Sequence, residues 1–275
     1  MEVGIVGLGL MGGSLALDLK DTGIASVIYG VDHNPKHQQE ALQLGLVDQI
    51  ATLDEIKQCD LVFLAIPVEG IISLLPNFQD ISPKTTLVDL GSTKEKIISA
   101  CPPTIRSQFV AAHPMTGTEY SGPKAAIKGL YKDKIVVLCN TEANDPKHLQ
   151  KAKNCFESIG MQIVYMDAKD HDLHAAYISH LPHAISYALA NSVLKQEDPK
   201  SILILAAGGF KDMSRLAKSN PDMWVDIFKQ NKENLLQSIE VFKKELRYAH
   251  TLIQEERWEE LRSWMRRATT LHEIL

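Results

Sequence analysis

Three residues stand out because their types and settings suit acid–base chemistry and carboxylate binding. His113 lies in HPMTGTE at the end of an apolar run, where its imidazole can accept the proton of a substrate hydroxyl. Ser92 lies in DLGSTK at the end of another apolar run, so its hydroxyl can bond the same substrate group. Arg215, in GGFKDMSRLAKSNPDMW, offers a planar guanidinium for a carboxylate, with Trp224 as an apolar wall nearby.

Each of these residues also has an ordinary structural interpretation that the sequence leaves open. An isolated histidine at a strand end is more often bonded to backbone, and Ser92 could cap the helix that follows it. Arg215 could pair with Asp212 on its own helix. For Ser92 the two interpretations are compatible, since one hydroxyl can serve both roles.

Two histidine-rich segments invite a metal-binding interpretation. SHLPH places His180 and His183 three residues apart, hence on one helical face, but no carboxylate or third histidine stands beside them in a recognisable motif. DHDLH, residues 170–174, is interpreted as the solvated start of a helix. The four cysteines are widely separated, which argues against a zinc site or a disulfide framework. We therefore expect no metal.

The first fourteen residues, MEVGIVGLGLMGGS, predict a dinucleotide-binding turn. Gly7, Gly9 and Gly12 match Gly-x-Gly-x-x-Gly between a short strand and an apolar helical pattern. Amide groups at the start of that helix would face the phosphates, and Ser14 could donate to a phosphate oxygen or cap the helix. The residues predicted to contact the cofactor here and at neighbouring strand ends are Gly7, Gly9, Leu10, Met11, Gly12, Pro67 and Ser92.

The cofactor's ribose has a candidate partner in Asp32. This residue ends the second predicted strand, 20 residues after Gly12, where an acidic side chain bonds the 2′-hydroxyl. The next three residues, 33–35, include no arginine to meet a 2′-phosphate, so the sequence favours NAD over NADP. The alternative is a glycine turn that binds nothing, with Asp32 capping the following helix.

The elements that must position these residues alternate between strands and helices as far as Asp167. Beyond the first two strands, apolar runs predict five more, at residues 60–66, 85–90, 109–112, 134–139 and 161–166. Such alternation implies an α/β fold with a doubly wound, Rossmann-type sheet that binds ligands at the carboxyl ends of its strands. The later pattern is helical, and the run Ile202–Ala207 is expected to be buried helix. We predict a dinucleotide-binding domain, 1–167, and an all-helical domain, 168–275, to which the family resemblance described below assigns substrate binding and dimerisation.

Composition excludes several classes of protein. The 275 residues, 45% hydrophobic and 23% charged, suffice for two globular domains. A net charge of −5 does not suggest nucleic-acid binding. No apolar run approaches the ~20 residues of a membrane-spanning helix, and the N-terminus lacks a secretory signal, so we expect a cytoplasmic protein without membrane contact.

Five separated segments together resemble the prephenate and arogenate dehydrogenases of tyrosine biosynthesis. They are GLGLMGGS, DLGSTK, HPMTGTE, SHLPH and GGFKDMSRLAKSNPDMW, in that order over nearly the full chain. The resemblance implies a nucleotide-binding domain and a helical domain that forms a homodimer, with the active site in the cleft between them. It also implies oxidative decarboxylation of prephenate to 4-hydroxyphenylpyruvate and CO2 with hydride transfer to NAD. Arogenate, which has an amino group where prephenate has a keto group, is the alternative substrate.

The resemblance assigns roles to residues at matching positions. His113 is the catalytic acceptor for the ring hydroxyl, Ser92 supports it, and Arg215 holds the side-chain carboxylate of the substrate. The other substrate-site residues implied are His183, His180, Thr118, Glu119, Gly208 and Trp224. Neither a mutase segment before the glycine motif nor a regulatory domain after the helices is expected, although tyrosine could compete at the active site.

Two other classes of protein share parts of this pattern. A hydroxyacid dehydrogenase or pyrroline-carboxylate reductase would share the glycine turn and the helical partner domain. It should carry a catalytic lysine motif in the first interdomain helix or lack HPMTGTE, whereas SHLPH occupies that helix here. A nucleotide-sensing protein without chemistry would not need His113, Ser92 and Arg215 together. NADH formation with prephenate separates these hypotheses.

Overall fold

The fold is built on one eight-stranded sheet. The structure, a computed structural model, describes residues 1–274; Leu275, the last residue of the predicted helical domain, lies outside the described residues. The strands are β1 (Glu2–Val6), β2 (Val27–Val31), β3 (Gln49–Ile50), β4 (Leu61–Leu64), β5 (Thr86–Asp89), β6 (Phe109–Pro114), β7 (Ile135–Cys139) and β8 (Gln162–Met166). Their order is β3-β2-β1-β4-β5-β6-β7-β8, and β6 and β7 pair antiparallel while the other neighbours pair parallel. This doubly wound arrangement confirms the predicted fold class.

Helices connect the strands and continue beyond the sheet. They are α1 (Leu10–Thr22), α2 (Pro35–Gln43), α3 (Leu53–Ile56), α4 (Val68–Leu74), α5 (Glu95–Ala100), α6 (Pro146–Ser158), α7 (Ala168–Ala175), α8 (Leu181–Leu194), α9 (Pro199–Ile204), α10 (Gly208–Ser214), α11 (Pro221–Gln230), α12 (Lys232–Gln254) and α13 (Trp258–Thr269). A π-helical turn, Ala176–His180, joins α7 to α8, and a 3₁₀ turn, Arg215–Lys218, follows α10. Within residues 1–274, no helix is both long and apolar enough to cross a membrane.

The core forms on both faces of the sheet. Strands β4 and β5 are buried along their whole length, which explains their continuous apolar sequences. Phe63 belongs to one apolar cluster, and its chain neighbours Val62 and Leu64 belong to another, because alternate side chains of a strand point to opposite faces. All four cysteines are buried and free.

The bounds of the strands differ from the predicted ones by at most two residues. The strand predicted at 109–112 continues to Pro114, so His113 lies within β6 rather than beyond it. Strand β3 and helix α3 were not predicted, because two and four residues leave no periodic pattern.

The prediction that Ile202–Ala207 is buried helix is wrong on one count. The first part of this run is helical, in α9, but Ile204 and Leu205 are 81% and 83% exposed in the single chain. An apolar run predicts that a segment will be shielded from water. It does not indicate whether residues of the same chain shield it.

By compactness the chain divides into two units. Residues Met1–Asn231 form the first, which includes the whole sheet and helices α1 to α11. Helices α12 and α13 belong to the second, which begins at Lys232. Every candidate site residue lies in the first unit. The predicted domain boundary after Asp167 directly follows the last strand, and it stays a prediction.

Candidate active site

The glycine turn between β1 and α1 is closely packed at two of its three glycines. A Cβ atom on Gly7 would lie 2.4 Å from the carbonyl oxygen of Ala65, and one on Gly12 would lie 1.9 Å from the carbonyl oxygen of Gly7. Gly9 differs, because the nearest protein atom to its Cβ would be the nitrogen of Gly122, at 3.8 Å. The turn therefore leaves space for a phosphate over Gly9, beside the uncapped first amides of α1.

This turn lies at the switch point of the sheet. Strand β1 is the starting point from which the order runs to β2 on one side and to β4 on the other. The crevice outside the carboxyl ends of such strands is where doubly wound sheets bind ligands. Pro67, a predicted cofactor contact, is the N-cap residue of helix α4 just after β4, so it lies at the same edge of the sheet as Gly7.

Ser14 has neither of the roles that the sequence suggested. It is fully buried and donates to the carbonyl oxygen of Leu10 at 2.6 Å, while it accepts from the amide of Ile127 at 2.9 Å. The hydroxyl of Tyr131 donates to the carbonyl oxygen of Met11 at 2.8 Å. These two bonds fasten the segment between β6 and β7 to the start of α1. Met11, a predicted cofactor contact, thus anchors this segment through its carbonyl oxygen, whereas the carbonyl oxygen of Leu10, also a predicted contact, accepts from Ser14 of its own helix.

The segment between β6 and β7 also carries two predicted substrate-site residues. Thr118 accepts a hydrogen bond from the amide of Tyr120 at 3.3 Å through its hydroxyl oxygen. Glu119 borders a cavity of about 590 Å³ that extends along the segment as far as Ile127. The segment therefore joins the end of β6, where His113 lies, to the glycine turn.

Asp32 directly follows β2 and its carboxylate is bonded to the glycine turn. One carboxylate oxygen accepts from the amide of Leu8 at 2.9 Å, and the other accepts from the amide of Asn34 at 2.9 Å. The cap of α2 is Asn34, whose side chain accepts from the amide of Lys36. The alternative in which Asp32 merely caps this helix is therefore wrong.

Ser92 lies in the loop after β5, partly buried, and within residues 1–274 its hydroxyl makes no hydrogen bond. Helix α5 starts at Glu95, and the carboxylate of Asp172 accepts from the amides of Lys94 and Glu95 at 2.7 and 3.0 Å. Asp172 thus fills the capping role that the sequence left open for Ser92. The Ser92 hydroxyl remains available to a ligand.

A fully buried ion pair lies next to the loop after β5. The ammonium group of Lys94 contacts the carboxylate of Asp89 and donates to the carbonyl oxygen of Ala112 at 2.6 Å. The Asp89 carboxylate also accepts from the amides of Gly91 and Ala112. Because Ala112 precedes His113, the pair ties the end of β5 to the end of β6.

His113 is bonded to a second histidine, which is bonded to a carboxylate. Its Nδ1 lies 2.8 Å from Nε2 of His171, and Nδ1 of His171 lies 2.8 Å from a carboxylate oxygen of Asp172. Burial, with smaller contributions from His171, Lys94 and His180, holds the pKa of His113 well below its ordinary value of 6.5. His113 is therefore a neutral imidazole at neutral pH, able to accept a proton.

The interpretation of DHDLH as a solvated helix start is wrong for two of its residues. His171 and Asp172 are only 3% and 2% exposed, whereas Asp170 and His174 are exposed. The signal was present in the spacing, because the buried residues of α7 are Ala168, His171, Asp172 and Ala175. That spacing of i, i+3, i+4 and i+7 marks one buried helical face.

The SHLPH histidines pack around Trp224. His183 stacks on the indole with ring centroids 3.4 Å apart, and His180 meets it edge-on at 6.1 Å. His180 Nδ1 lies 3.1 Å from the side-chain amide of Asn231, an N–H donor, so its Nε2 carries the proton. That Nε2 and the indole Nε1 are both buried without a partner among the described residues. Two buried N–H groups without an acceptor fit a site where a ligand supplies the acceptor.

The ordinary interpretation of Arg215 was an ion pair with Asp212, and the structure places Arg215 against a different carboxylate. Arg215 begins the 3₁₀ turn after α10, and its guanidinium lies 3.6 Å from the carboxylate of Glu119. Burial is the main cause that lowers the pKa of His183, and the charge of Arg215 lowers it further. The hydrogen bond to the backbone of Ser179 raises it. Arg215 is about half exposed, so the guanidinium is accessible beside Glu119 and His183.

Two further sequence interpretations concern Gly208 and metal binding. Gly208 begins α10, it is exposed, and a Cβ atom added there would meet no atom within 4 Å. Among residues 1–274, no group of three or more histidine, cysteine or acidic side chains could hold a metal ion.

A doubly wound sheet with an open glycine turn and a neutral histidine at the end of β6, followed by helices that bring an arginine to the segment after β6, defines a dinucleotide-binding dehydrogenase. The family pattern described as the prephenate dehydrogenase nucleotide-binding domain matches residues 15–165, and that of the prephenate dehydrogenase dimerization domain matches residues 167–267. The chain belongs to the prephenate dehydrogenase family.

Individual relatives agree with this family. The chain is 31% identical to a prephenate dehydrogenase of Bacillus subtilis over 264 residues, which are 94% of this chain and 71% of that protein. Prephenate dehydrogenase from A. aeolicus, in complex with hydroxyphenyl propionate and NAD+, is 36% identical, with a TM-score of 0.92 over 99% of this chain and 97% of that one. An arogenate dehydrogenase from Synechocystis is 30% identical, with a TM-score of 0.78 over 99% of both chains.

Proposed function

We propose that this chain oxidises prephenate to 4-hydroxyphenylpyruvate and CO2 with NAD+ in tyrosine biosynthesis. The observation that carries the proposal is the position of His113 at the end of β6, where its Nδ1 is bonded to His171 and burial lowers the pKa of its imidazole. The segment that follows it is fastened to the glycine turn through Ser14 and carries Glu119, which contacts Arg215. One short stretch of chain thus connects a base, a cofactor turn and a carboxylate-binding group.

Each of these groups has a distinct task in the proposal. His113 accepts the proton of the ring hydroxyl, and the free hydroxyl of Ser92 bonds the same oxygen. Arg215 exchanges its contact with Glu119 for the side-chain carboxylate of the substrate. Around them, the remaining proposed substrate-site residues are His183, His180, Thr118, Glu119, Gly208 and Trp224.

The proton and the electrons balance within the site. NAD+, held at the glycine turn, would supply the acceptor for the hydride of the ring carbon that carries the hydroxyl. The O–H bond breaks as the carbonyl forms, and His113 holds the proton at an imidazole nitrogen. When the ring carboxylate leaves as CO2, the electrons of the broken bond make the ring aromatic. The oxygen then takes its proton back from His113 as a phenol, and the aromatic product makes the step effectively irreversible.

The preference for NAD rests on Asp32. Its carboxylate, already bonded to the amide of Leu8 in the glycine turn, can accept from a ribose 2′-hydroxyl and would repel a 2′-phosphate. Residues 33–35 provide no arginine to neutralise that phosphate. Among the relatives, the A. aeolicus enzyme has NAD+ bound.

The proposal is tested by following nicotinamide absorbance with prephenate and with arogenate, each paired with NAD+ and NADP+. We expect the highest kcat/KM for prephenate with NAD+. A higher value for arogenate would assign the chain to arogenate oxidation, which its likeness to the Synechocystis enzyme also supports. No turnover with either substrate would contradict the proposal.

The role of Arg215 predicts a change in substrate affinity. Arg215→Gln should raise the KM for the cyclic substrate about 10- to 100-fold, because a hydrogen-bonded charge contact is worth about 1.5–3 kcal/mol. The Kd for NAD+ and kcat should change little. Lys218→Gln, which removes an exposed cation from the same 3₁₀ turn, is the matched control. An unchanged KM in Arg215→Gln would make Arg215 structural.

We also propose that the chain forms a homodimer through its helical region, as the name of the matched dimerization domain suggests. The exposed apolar side chains of residues 202–205 support this, since a second copy could cover them. Leu205→Glu should halve the mass measured by light scattering. Leu44→Glu, at an exposed leucine outside the matched dimerization domain, should leave the mass unchanged. A Leu205→Glu protein of wild-type mass would remove this surface from the interface.

A further inference from the structure

We propose that His171 and Asp172 are positioning residues that hold His113 in the tautomer protonated at Nδ1, so that Nε2 is the atom that accepts the substrate proton. The catalytic consequence of this tautomer rests on the proposed function. The tautomer itself rests on hydrogen-bond geometry alone.

The direction of each hydrogen bond follows from Asp172. Its carboxylate already accepts from the amides of Lys94 and Glu95, which can only donate. The 2.8 Å contact from the same carboxylate to Nδ1 of His171 therefore needs a proton on that nitrogen. A neutral His171 protonated at Nδ1 has a lone pair on Nε2. That lone pair faces Nδ1 of His113 at 2.8 Å, so His113 has to donate.

The other nitrogen of His113 is the one left as an acceptor. With Nδ1 bonded to His171, the Nε2 lone pair has no hydrogen-bond partner among residues 1–274 and can meet a ligand hydroxyl. The logic resembles that of a carboxylate that orients a catalytic histidine, with one extra imidazole between carboxylate and base. When His113 takes up the substrate proton at Nε2, its Nδ1 proton is already shared with His171, and the Asp172 charge stabilises the cation.

The anchoring of Asp172 makes the arrangement rigid. Its backbone carbonyl accepts from the side-chain amide of Asn231, and its side chain is bonded to two amides at the start of α5. The titratable groups that act on His113 are His171 of α7, Lys94 before α5 and His180 of the π-helical turn. Asp172 brings a negative charge to the histidine pair through its contact with His171, at 2.8 Å.

The first experiment observes the tautomer directly, without a need for activity. Imidazole ¹⁵N–¹H spectra of histidine-labelled protein at pH 8, assigned by loss of the signal in His113→Asn, report which nitrogen of His113 carries the proton. We expect Nδ1 in the wild type. A proton on Nε2 would overturn the inference, whatever the enzyme's substrate proves to be.

The second experiment separates a positioning role from a structural one. His171→Phe should lower kcat about 10- to 100-fold and shift the acid side of the kcat profile, with the KM for substrate and the Kd for NAD+ nearly unchanged. His171→Gln should retain most of kcat, because its amide oxygen can still accept from Nδ1 of His113. His148→Phe is the matched control, since this buried histidine loses a 2.7 Å bond to Thr86.

The outcomes distinguish this inference from the proposed function. If neither prephenate nor arogenate is oxidised, the proposed function fails and the tautomer measurement still decides the inference. If the substrate is oxidised and His171→Phe keeps a wild-type kcat and pH profile, the inference alone fails. If His171→Phe does not fold, the spectrum of the wild type and the kcat of His171→Gln remain decisive.

Discussion

Replacing His113 with asparagine is expected to lower kcat by ~10²–10⁴, the contribution of a positioned acid–base group. Asparagine is close in size, and its amide can still donate to Nε2 of His171, so the buried neighbour keeps a partner. What it lacks is a nitrogen that can take up the hydroxyl proton. Stopped-flow and steady-state measurements of NADH formation check the loss, and titration of the protein with NAD+ should give an unchanged Kd.

The pH dependence of the wild type provides a second check on His113. Because burial lowers its pKa well below 6.5, the imidazole stays neutral as the pH falls through 6.5, and kcat/KM should decline only at lower pH. In the unfolded chain the same histidine binds a proton near pH 6.5, so this group reduces stability as the pH falls below that value. A His113→Asn enzyme with near-normal turnover would remove His113 from the mechanism.

Local sequence patterns were sufficient to predict the sheet and the cofactor turn. The strand β4 is a continuous apolar run because helices cover both of its faces, and such a run is visible in a short window of sequence. The glycine at position 12 is required by a contact with the carbonyl oxygen of Gly7, five residues earlier in the chain. Features that depend on neighbours in the chain are those that sequence patterns record best.

Contacts between distant parts of the chain could not be predicted in the same way. His113 bonds His171, 58 residues away, and Lys94 bonds Asp172, 78 residues away. No pattern in the sequence of helix α7 or in DLGSTK indicates that these two segments contact each other. The structural alternative for Arg215 likewise paired it with Asp212 of its own helix, whereas Arg215 contacts Glu119 of the segment after β6. In each case tertiary packing, rather than spacing, selects the partner.

Lys94→Met should lower the free energy of unfolding by about 3–5 kcal/mol, the usual cost of leaving one charge of a buried pair without its partner. Lys94 and Asp89 are both fully buried, and the Asp89 carboxylate would keep only its two backbone amide donors. Methionine nearly matches the length of the lysine side chain, so packing changes little. Urea denaturation with two-state analysis measures the difference. The surface pair of Lys128 and Asp21 is the comparison, and Lys128→Met should have a much smaller effect.

The double variant Asp89→Asn, Lys94→Met tests whether the loss comes from the unpaired charge. Removing both charges should recover most of the stability, because replacing a buried pair by neutral groups is often close to neutral. Activity should not recover with it, since the ammonium group of Lys94 also donates to the carbonyl oxygen of Ala112, directly before His113. A double variant as unstable as Lys94→Met would show that packing dominates at this position. One that is both stable and fully active would show that the buried pair serves neither the fold nor the position of the base.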